Sequence, residues 1–288
     1  MKTKKCVVWL LVLLLLAGLA VFAAGVLPGY FREKTYYGKG LLTVTFIDVG
    51  QGDAALIGTP TGEYFLVDAG SADALGSVKE ELWIAGCERL SMAVATHPHE
   101  DHIGGMGELL GAIETAKLYL PDFPLSTPAY LDMLKAAEKN GIDAVIPRSG
   151  ETLFDRDGCR VTVVWNGDGA EEANDASIIL RVTYGETSVL LTGDAGTAEE
   201  ACAMKTGLPL TADILKVGHH GSSGSASETF LARVLPKIAV ISVGRGNDYG
   251  HPHGETLIRL ARCGSEVWRT DESGTLRFAS DGRGWRLP

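Results

Sequence analysis

The run SMAVATHPHEDHIGG, residues 91–105, constrains this chain more than any other stretch: a short apolar strand empties into three of the chain's seven histidines and two carboxylates, then into two glycines. Crowded protonatable and acidic side chains gain little from one another in water, and ordering them costs entropy. A metal centre is what calls for such crowding. In extended backbone, residues two apart point to the same side, so His97 and His99 converge on one ion while Asp101 and His102 turn toward a second. Gly104 and Gly105 let the backbone that follows pack close beneath the loop.

One loop does not close two metal sites, so further ligands have to arrive from elsewhere. Asp194, in LLTGDAG, stands where an apolar strand ends in a glycine turn, a position from which a carboxylate bridges two ions. His219 and His220, in LKVGHHGSS, also follow a strand, and His251 and His253, in YGHPHGE, complete the seven. No histidine is left over for a role in the core. Asp53, in DVGQGDA, and Asp68, in LVDAG, sit at strand ends, where each reads either as an orienting partner for a ligating imidazole or as a turn and cap residue.

The rest of the chain reads as alternating strand and helix groups. LLTVTFIDV and EYFLVDAG, separated by the turn GTPTG, suggest paired strands. GELLGAIETA and TPAYLDMLKAAEKNG carry helical spacing, the second stopped by Asn-Gly. CRVTVVWN, SIILRVTYG and TSVLLTG read as strands, with Gly185-Glu186 turning a tight hairpin between the last two. AEEACAMKTG and SETFLARVLP read as helices; ADILKVG, KIAVISVG, EVWRT and TLRFAS read as strands. Strand groups interrupted by helices in both halves predict two sheets packed face to face with helices outside, forming one domain over 41–288.

Residues 1–28 are a different material. Three lysines precede an uncharged apolar run from Cys6 to Pro28, about the length that spans a bilayer. This predicts a signal anchor or a signal peptide with its lysines on the cytoplasmic side, cleavage being suggested at Val21-Phe22-Ala23. The domain is then expected on the extracytoplasmic face of the cell membrane, or secreted if the leader is cut. Residues 29–40 read as a linker. The net charge of −10 excludes a global attraction to polyanions or anionic lipid, so a nucleic acid would have to be held locally. Cys87, Cys159, Cys202 and Cys263 are widely spaced and read as buried free thiols.

Taken together, H-x-H-x-D-H after a strand, a strand ending in T-G-D and a strand ending in H-H-G-S resemble the metallo-β-lactamase fold hydrolases. FIDVGQGDAALI, HPHEDHIGG, NDASIILRV, LLTGD, LKVGHHGSS and YGHPH are similar to the hydrolase domain of ComEC-type DNA-uptake proteins, and the resemblance covers nearly all of 41–288. It implies an α/β fold, the four-layer αβ/βα sandwich, with metals at the edge between the sheets. His97, His99, Asp101, His102, Asp194 and one of His219 or His220 are the implied ligands. The common pattern has a further histidine that is absent between His102 and Asp194; Asn174 and Ser177 occupy that stretch.

Two divalent ions are implied, zinc suiting the imidazoles and manganese a more oxygen-rich set. Asp101 and Asp194 are the candidates for orienting a water. His253 is a candidate proton donor, and reads equally as a turn histidine beside Pro252. Lys216, Ser222, Ser223 and the YGHPH loop with His251 are candidates for holding substrate. The resulting expectation is an exported metal-dependent phosphodiesterase or nuclease acting on DNA or nucleotides. Hydrolysis of another extracellular ester or phosphodiester is the alternative, and a non-catalytic membrane-associated binding module is the alternative of a different class.

Overall fold

Successive side chains of a strand point to opposite faces, and in this chain both faces are apolar. Phe65 and Val67 enter one cluster while Leu66, between them, enters another. The same division separates Leu180 and Val182 from Ile179, Val189 and Leu191 from Leu190, and Ile238 and Val240 from Ala239 and Ile241. A strand apolar on both sides has to be covered twice, by a sheet on one face and helices on the other. The computed structural model, which describes residues 36–288, does this in four layers.

Among the described residues, one sheet of eight strands runs in the order Trp285–Arg286, Leu276–Ser280, Leu42–Phe46, Ala55–Gly58, Tyr64–Val67, Met92–Val94, Lys117–Tyr119, Asp143–Val145. The facing sheet of seven runs Glu266–Arg269, Ile238–Ile241, Ile214–Lys216, Thr187–Leu191, Ile179–Tyr184, Cys159–Trp165, Thr152–Arg156. Their inner faces share a core in which Phe46 and Phe278 meet edge to face, centroids 6.0 Å apart. Helices Leu75–Ala85, Met106–Ala112 and Pro128–Lys139 cover the outside of the first sheet, and Thr197–Lys205, Glu228–Val234 and Gly254–Cys263 the outside of the second. The αβ/βα sandwich expected from the sequence is the architecture observed.

The turn GTPTG joins Tyr64–Val67 to Ala55–Gly58, and it is this four-residue strand that pairs with Leu42–Phe46. Ala55–Gly58 escapes a reading by pattern because it is so short and lies between two glycine-rich turns. The helices Leu75–Ala85 and Gly254–Cys263 and the short strands Lys117–Tyr119, Asp143–Val145 and Thr152–Arg156 were likewise not expected. Where capping is strong, pattern and structure agree: Pro128–Lys139 starts with Thr127 accepting the Tyr130 N–H, has proline in its first turn, and gives way to Asn140 and Gly141.

The leader read at 1–28 lies outside the described residues, and among those described no helix is long and apolar enough to cross a membrane. The end of the span read as a linker is tied to the domain. Tyr37 Oη donates to Glu81 Oε1 at 2.6 Å, and Glu81 takes a two-pronged pair from Arg277 at 2.8 and 2.5 Å. Cys87, Cys159, Cys202 and Cys263 are free, but only Cys159 is fully buried.

Tyr64–Val67 and Met92–Val94 are parallel neighbours in the first sheet, as are Thr187–Leu191, Ile214–Lys216 and Ile238–Ile241 in the second. Ligand sites in α/β sheets form where such strands end. The carboxyl ends of both groups open at one edge of the sandwich, and from them emerge Asp68, the histidine loop, Asp194, the His219-His220 turn and Ser242.

Candidate metal centre

Asp68 leaves its strand with φ at 58°, in the left-handed region, which costs a non-glycine residue about 1–2 kcal/mol. The turn brings its carboxylate beneath the neighbouring strand end. Oδ1 accepts the Thr96 N–H at 2.8 Å, while Oδ2 accepts the Thr96 hydroxyl at 2.7 Å and the His102 Nδ1–H at 2.9 Å. With its own proton committed, Thr96 Oγ1 is left to accept from His97 Nδ1, 3.2 Å away. One buried carboxylate thus sets the tautomer of two imidazoles and leaves the Nε2 lone pair of each to face Asp194.

The second sheet supplies the other side. His219 and His220 are both left-handed, φ 48° and 53°, and this pair of turns separates their rings by 6.1 Å. His220 Nδ1–H donates to the Ser242 carbonyl at 3.0 Å, so its Nε2 faces Asp101 at 3.3 Å and Asp194 at 3.5 Å. His219 lies on the open side, its side chain 36% exposed and its Nε2 3.8 Å from Asp194. Asp194 is held by Ser177, whose Oγ accepts the Asp194 N–H at 3.0 Å. Below it the buried Lys216 ammonium ion-pairs with Asp53 and donates to the Gly193 carbonyl. The Asp53 N–H donates to the Asp101 carbonyl, and residue 52 must be glycine there, since a Cβ would stand 2.2 Å from that same oxygen at φ 136°.

Asp53, His102, Asp194 and His220 are all buried, and each offers an atom within 4.8 Å of the others. Asp53 Oδ1, His102 Nε2, Asp194 Oδ1 and His220 Nε2 have no hydrogen-bond partner. Buried polar atoms are nearly always paired, and His102 Nε2 and His220 Nε2, orphaned 3.2 and 3.5 Å from Asp194, are what a cation satisfies, while Asp53 meets the same two rings at their Nδ1 sides. Protons fill that role here only in part. Burial pulls His220 down, but Asp194, Asp101 and Asp53 overcome it and push it up to about 9. His102 is raised in the same way, against its burial, by Asp194 and Asp68. Burial would raise Asp194 too, yet the imidazoles around it hold it well below the usual carboxylate range. His97, lowered by burial and by His102, is a neutral imidazole, the form that ligates. The donor set fits a divalent cation.

The Metallo-beta-lactamase superfamily model matches residues 47–245. The chain belongs to the metallo-beta-lactamase superfamily. It is 32% identical over 252 residues to ComE operon protein 3 of Bacillus subtilis (strain 168), covering 82% of this chain and 32% of that one. It is 34% identical over 249 residues to Competence protein ComA of Neisseria gonorrhoeae, covering 84% and 32%. The chain spans about a third of the length of these curated relatives. Among solved structures it resembles the metallo-beta-lactamase fold protein YhfI from Bacillus subtilis, with a TM-score of 0.58, 14% identity, and coverage of 83% of this chain and 100% of that one. Tm1679, described as a metal-dependent hydrolase of the beta-lactamase superfamily, gives a TM-score of 0.52 at 14% identity, covering 79% and 95%. These likenesses show the fold.

Within this metallo-beta-lactamase domain a second constellation adjoins the first. His97 Nε2 lies 3.1 Å from His99 Nδ1 and 3.7 Å from Asp194 Oδ2, the oxygen that His219 also faces. Asn174, from the stretch where the superfamily pattern carries its further histidine, lines the same cavity with its Oδ1 buried and unpartnered. The cavity holds about 330 Å³, enough for a small ligand.

The sequence-predicted residues divide by where the structure puts them. His99, Asp101, Asn174, Asp194, His219, His220 and His251 line the cavity; His97, His102, Asp53 and Asp68 lie behind it. Lys216 is buried under the cluster, away from any substrate. Ser222 Oγ accepts the Gly224 N–H, and its carbonyl accepts from Thr256, so it shapes the turn. His253 accepts the Ser223 N–H at Nδ1 and donates from Nε2 to the Tyr249 carbonyl, both nitrogens serving the loops. The structure adds Thr96, which relays Asp68 to His97, and Gln51, whose Oε1 accepts the Gly244 N–H at the cavity rim. Glu100 and Tyr249 complete the lining. Thr96 gives no sequence signal, whereas the flanking glycines of Gln51 in GQG are a signal that the sequence reading missed.

Proposed function

We propose that this domain is a metal-dependent hydrolase of phosphodiesters, with single-stranded DNA or a nucleotide as substrate, acting outside the cytoplasmic membrane to which an N-terminal leader would tether it. The observation that carries the reading is the buried, unpartnered Nε2 atoms of His102 and His220 gathered on the Asp194 carboxylate. A second ion would be held by His97, His99 and the other Asp194 oxygen, with His219 beside it. Zinc suits the imidazoles, and manganese is the alternative where Asn174 leaves the set richer in oxygen. Divalent ions bound there supply an acidified water and charge stabilisation on a phosphoryl group.

The chain's own residues do the rest. Asp101 is the carboxylate partly open to the cavity, its side chain 33% exposed, and takes a proton from the incoming water. Asp194, tied at its backbone by Ser177, fixes the geometry from below. No lysine or arginine lines the cavity among the described residues, so bound metal and the lining imidazoles are what would meet the substrate's charge. This suits a phosphodiester, which carries one negative charge, on a protein whose net charge is −10. Support for DNA comes from the relatives named for competence. The chain spans only about a third of them, so uptake itself is not carried over.

The test is metal content of the purified protein, followed by cleavage of bis-p-nitrophenyl phosphate and labelled single-stranded DNA with zinc or manganese. His99→Ala and Asp101→Ala should lose turnover with the far-ultraviolet circular dichroism unchanged. Retained turnover in both variants would refute the metal mechanism.

A further inference from the structure

With no lysine or arginine on the cavity wall among the described residues, little fixed positive charge is left to hold the part of a substrate beyond its phosphate. One wall offers that. A row of rings leads outward from Asp194: His219 first, then His251 at 5.5 Å between centroids, then Tyr249 at 5.6 Å from His251 and nearly parallel to it, 23° between the planes. Tyr249 stands 67% exposed at the mouth of the cavity, a large ring left largely in water.

Its position is nevertheless fixed. Asn247 Oδ1 accepts the backbone N–H of Tyr249 at 3.2 Å and of His251 at 3.0 Å. Asn247 Nδ2 donates to the carbonyls of Gly244 at 3.0 Å and His251 at 2.7 Å. His253 donates to the Tyr249 carbonyl at 3.2 Å, which gives that histidine a purpose away from the reacting atoms. A loop pinned through four side-chain hydrogen bonds from Asn247 and one from His253 holds out an aromatic face at little further cost in entropy.

We propose that Tyr249, stacked on His251, is the specificity-determining platform that takes the nucleobase next to the scissile phosphodiester. This rests on the phosphodiesterase reading above. Every base has a π-face, so a single tyrosine platform accepts any base. It distinguishes a nucleotide diester from a sugar-phosphate or lipid diester of equal charge, because only the nucleotide brings a ring to stack.

The experiment compares KM for a thymidine decanucleotide with KM for a strand of equal length built from tetrahydrofuran abasic units, using the full-length protein loaded with zinc or manganese. The wild type should show a lower KM for thymidine by on the order of tenfold, the scale of one base stacked on an aromatic side chain. Tyr249→Ala should bring the ratio of the two values close to one, and Tyr249→Phe and Tyr249→Trp should restore it. A ratio near one in the wild type, or a wild-type ratio in Tyr249→Ala, overturns the platform while leaving the hydrolase reading standing. A substitution that merely loosened the loop would move both KM values together and leave the ratio in place, which also overturns it. Failure of the wild type to cut either strand refutes the hydrolase reading itself, and the platform with it.

Discussion

Replacing Asp68 with asparagine changes one oxygen to an amide, and the consequence for the metal centre can be worked out atom by atom. Three donors converge on the Asp68 carboxylate: the Thr96 N–H on Oδ1, and the Thr96 hydroxyl with His102 Nδ1–H on Oδ2. Asparagine tolerates the left-handed backbone at φ 58°, so the main chain stays as it is. Its single oxygen cannot serve both sides. Turned to Thr96 N–H, it sets the amide N–H₂ against His102. The ring then relieves two facing donors by moving its proton from Nδ1 to Nε2, the atom 3.2 Å from Asp194 Oδ1. A protonated Nε2 does not ligate. Turned the other way, the amide leaves the buried Thr96 N–H without an acceptor, at about 1–3 kcal/mol.

Asp68→Asn should therefore lower folding stability by about 1–3 kcal/mol and weaken metal binding by ~10–100-fold, the usual effect of removing an orienting partner from a ligating histidine. Urea unfolding of the chelator-treated protein reads the first quantity, and competition with a chromophoric chelator reads the second. Nitrogen-15 shifts of the imidazoles report the tautomer directly. A variant that binds metal as tightly as the wild type, with His102 still protonated at Nδ1, would refute the reasoning.

Asn174→His puts a ring nitrogen into the stretch where the superfamily pattern has one, in place of a buried side-chain oxygen that has no partner. It should raise metal content toward two ions per chain and tighten the weaker ion, measured by inductively coupled plasma analysis after dialysis. Metal uptake should also depend on pH, because ions displace protons from His220 and His102. The folded value for His220 is about 9 against about 6.5 unfolded. The stability that its proton confers on the metal-free protein is thus fully present below pH 6.5 and lost as pH rises toward 9, a fall that urea midpoints should trace. Apparent metal affinity should climb through the same window and then level off. Far from the centre, Glu81→Ala removes the buried carboxylate on which Arg277 and Tyr37 both rely. It should cost about 3–5 kcal/mol in unfolding free energy and leave metal affinity unchanged.

Much of the fold was legible because its strands are covered on both faces, and such strands read as unbroken apolar runs. Among the strands, what escaped was short or lay at a sheet edge: Ala55–Gly58 between its glycine turns, and Asp143–Val145 with its largely exposed residues. The site divides the same way. The alternation of extended backbone puts His97 and His99 on one side without any knowledge of tertiary structure. No local rule separates His219 from His220, which are adjacent and of one type. Only the left-handed pair of turns sends one ring to the Ser242 carbonyl and leaves the other at the cavity wall.

Lys216 shows most clearly why orientation is the part a sequence withholds. A lysine that ends an apolar strand ordinarily reaches water, and beside a histidine turn it looks like a hand for phosphate. Here its strand lies inside the sheet, between Thr187–Leu191 and Ile238–Ile241, so no open edge is available to the side chain. The ammonium has to find its partners indoors, and Asp53 is the carboxylate within reach. That pairing is also what makes Asp53 useful. Oδ2 is held by the lysine and lies 3.9 Å from His102 Nδ1, while Oδ1 lies 3.5 Å from His220 Nδ1. Asp53 therefore stands at the Nδ1 side of both imidazoles, where it orients them, and Lys216 moves from the substrate to the aspartate's anchor. Both placements follow from a contact between segments far apart in the sequence that neither residue's neighbours could announce.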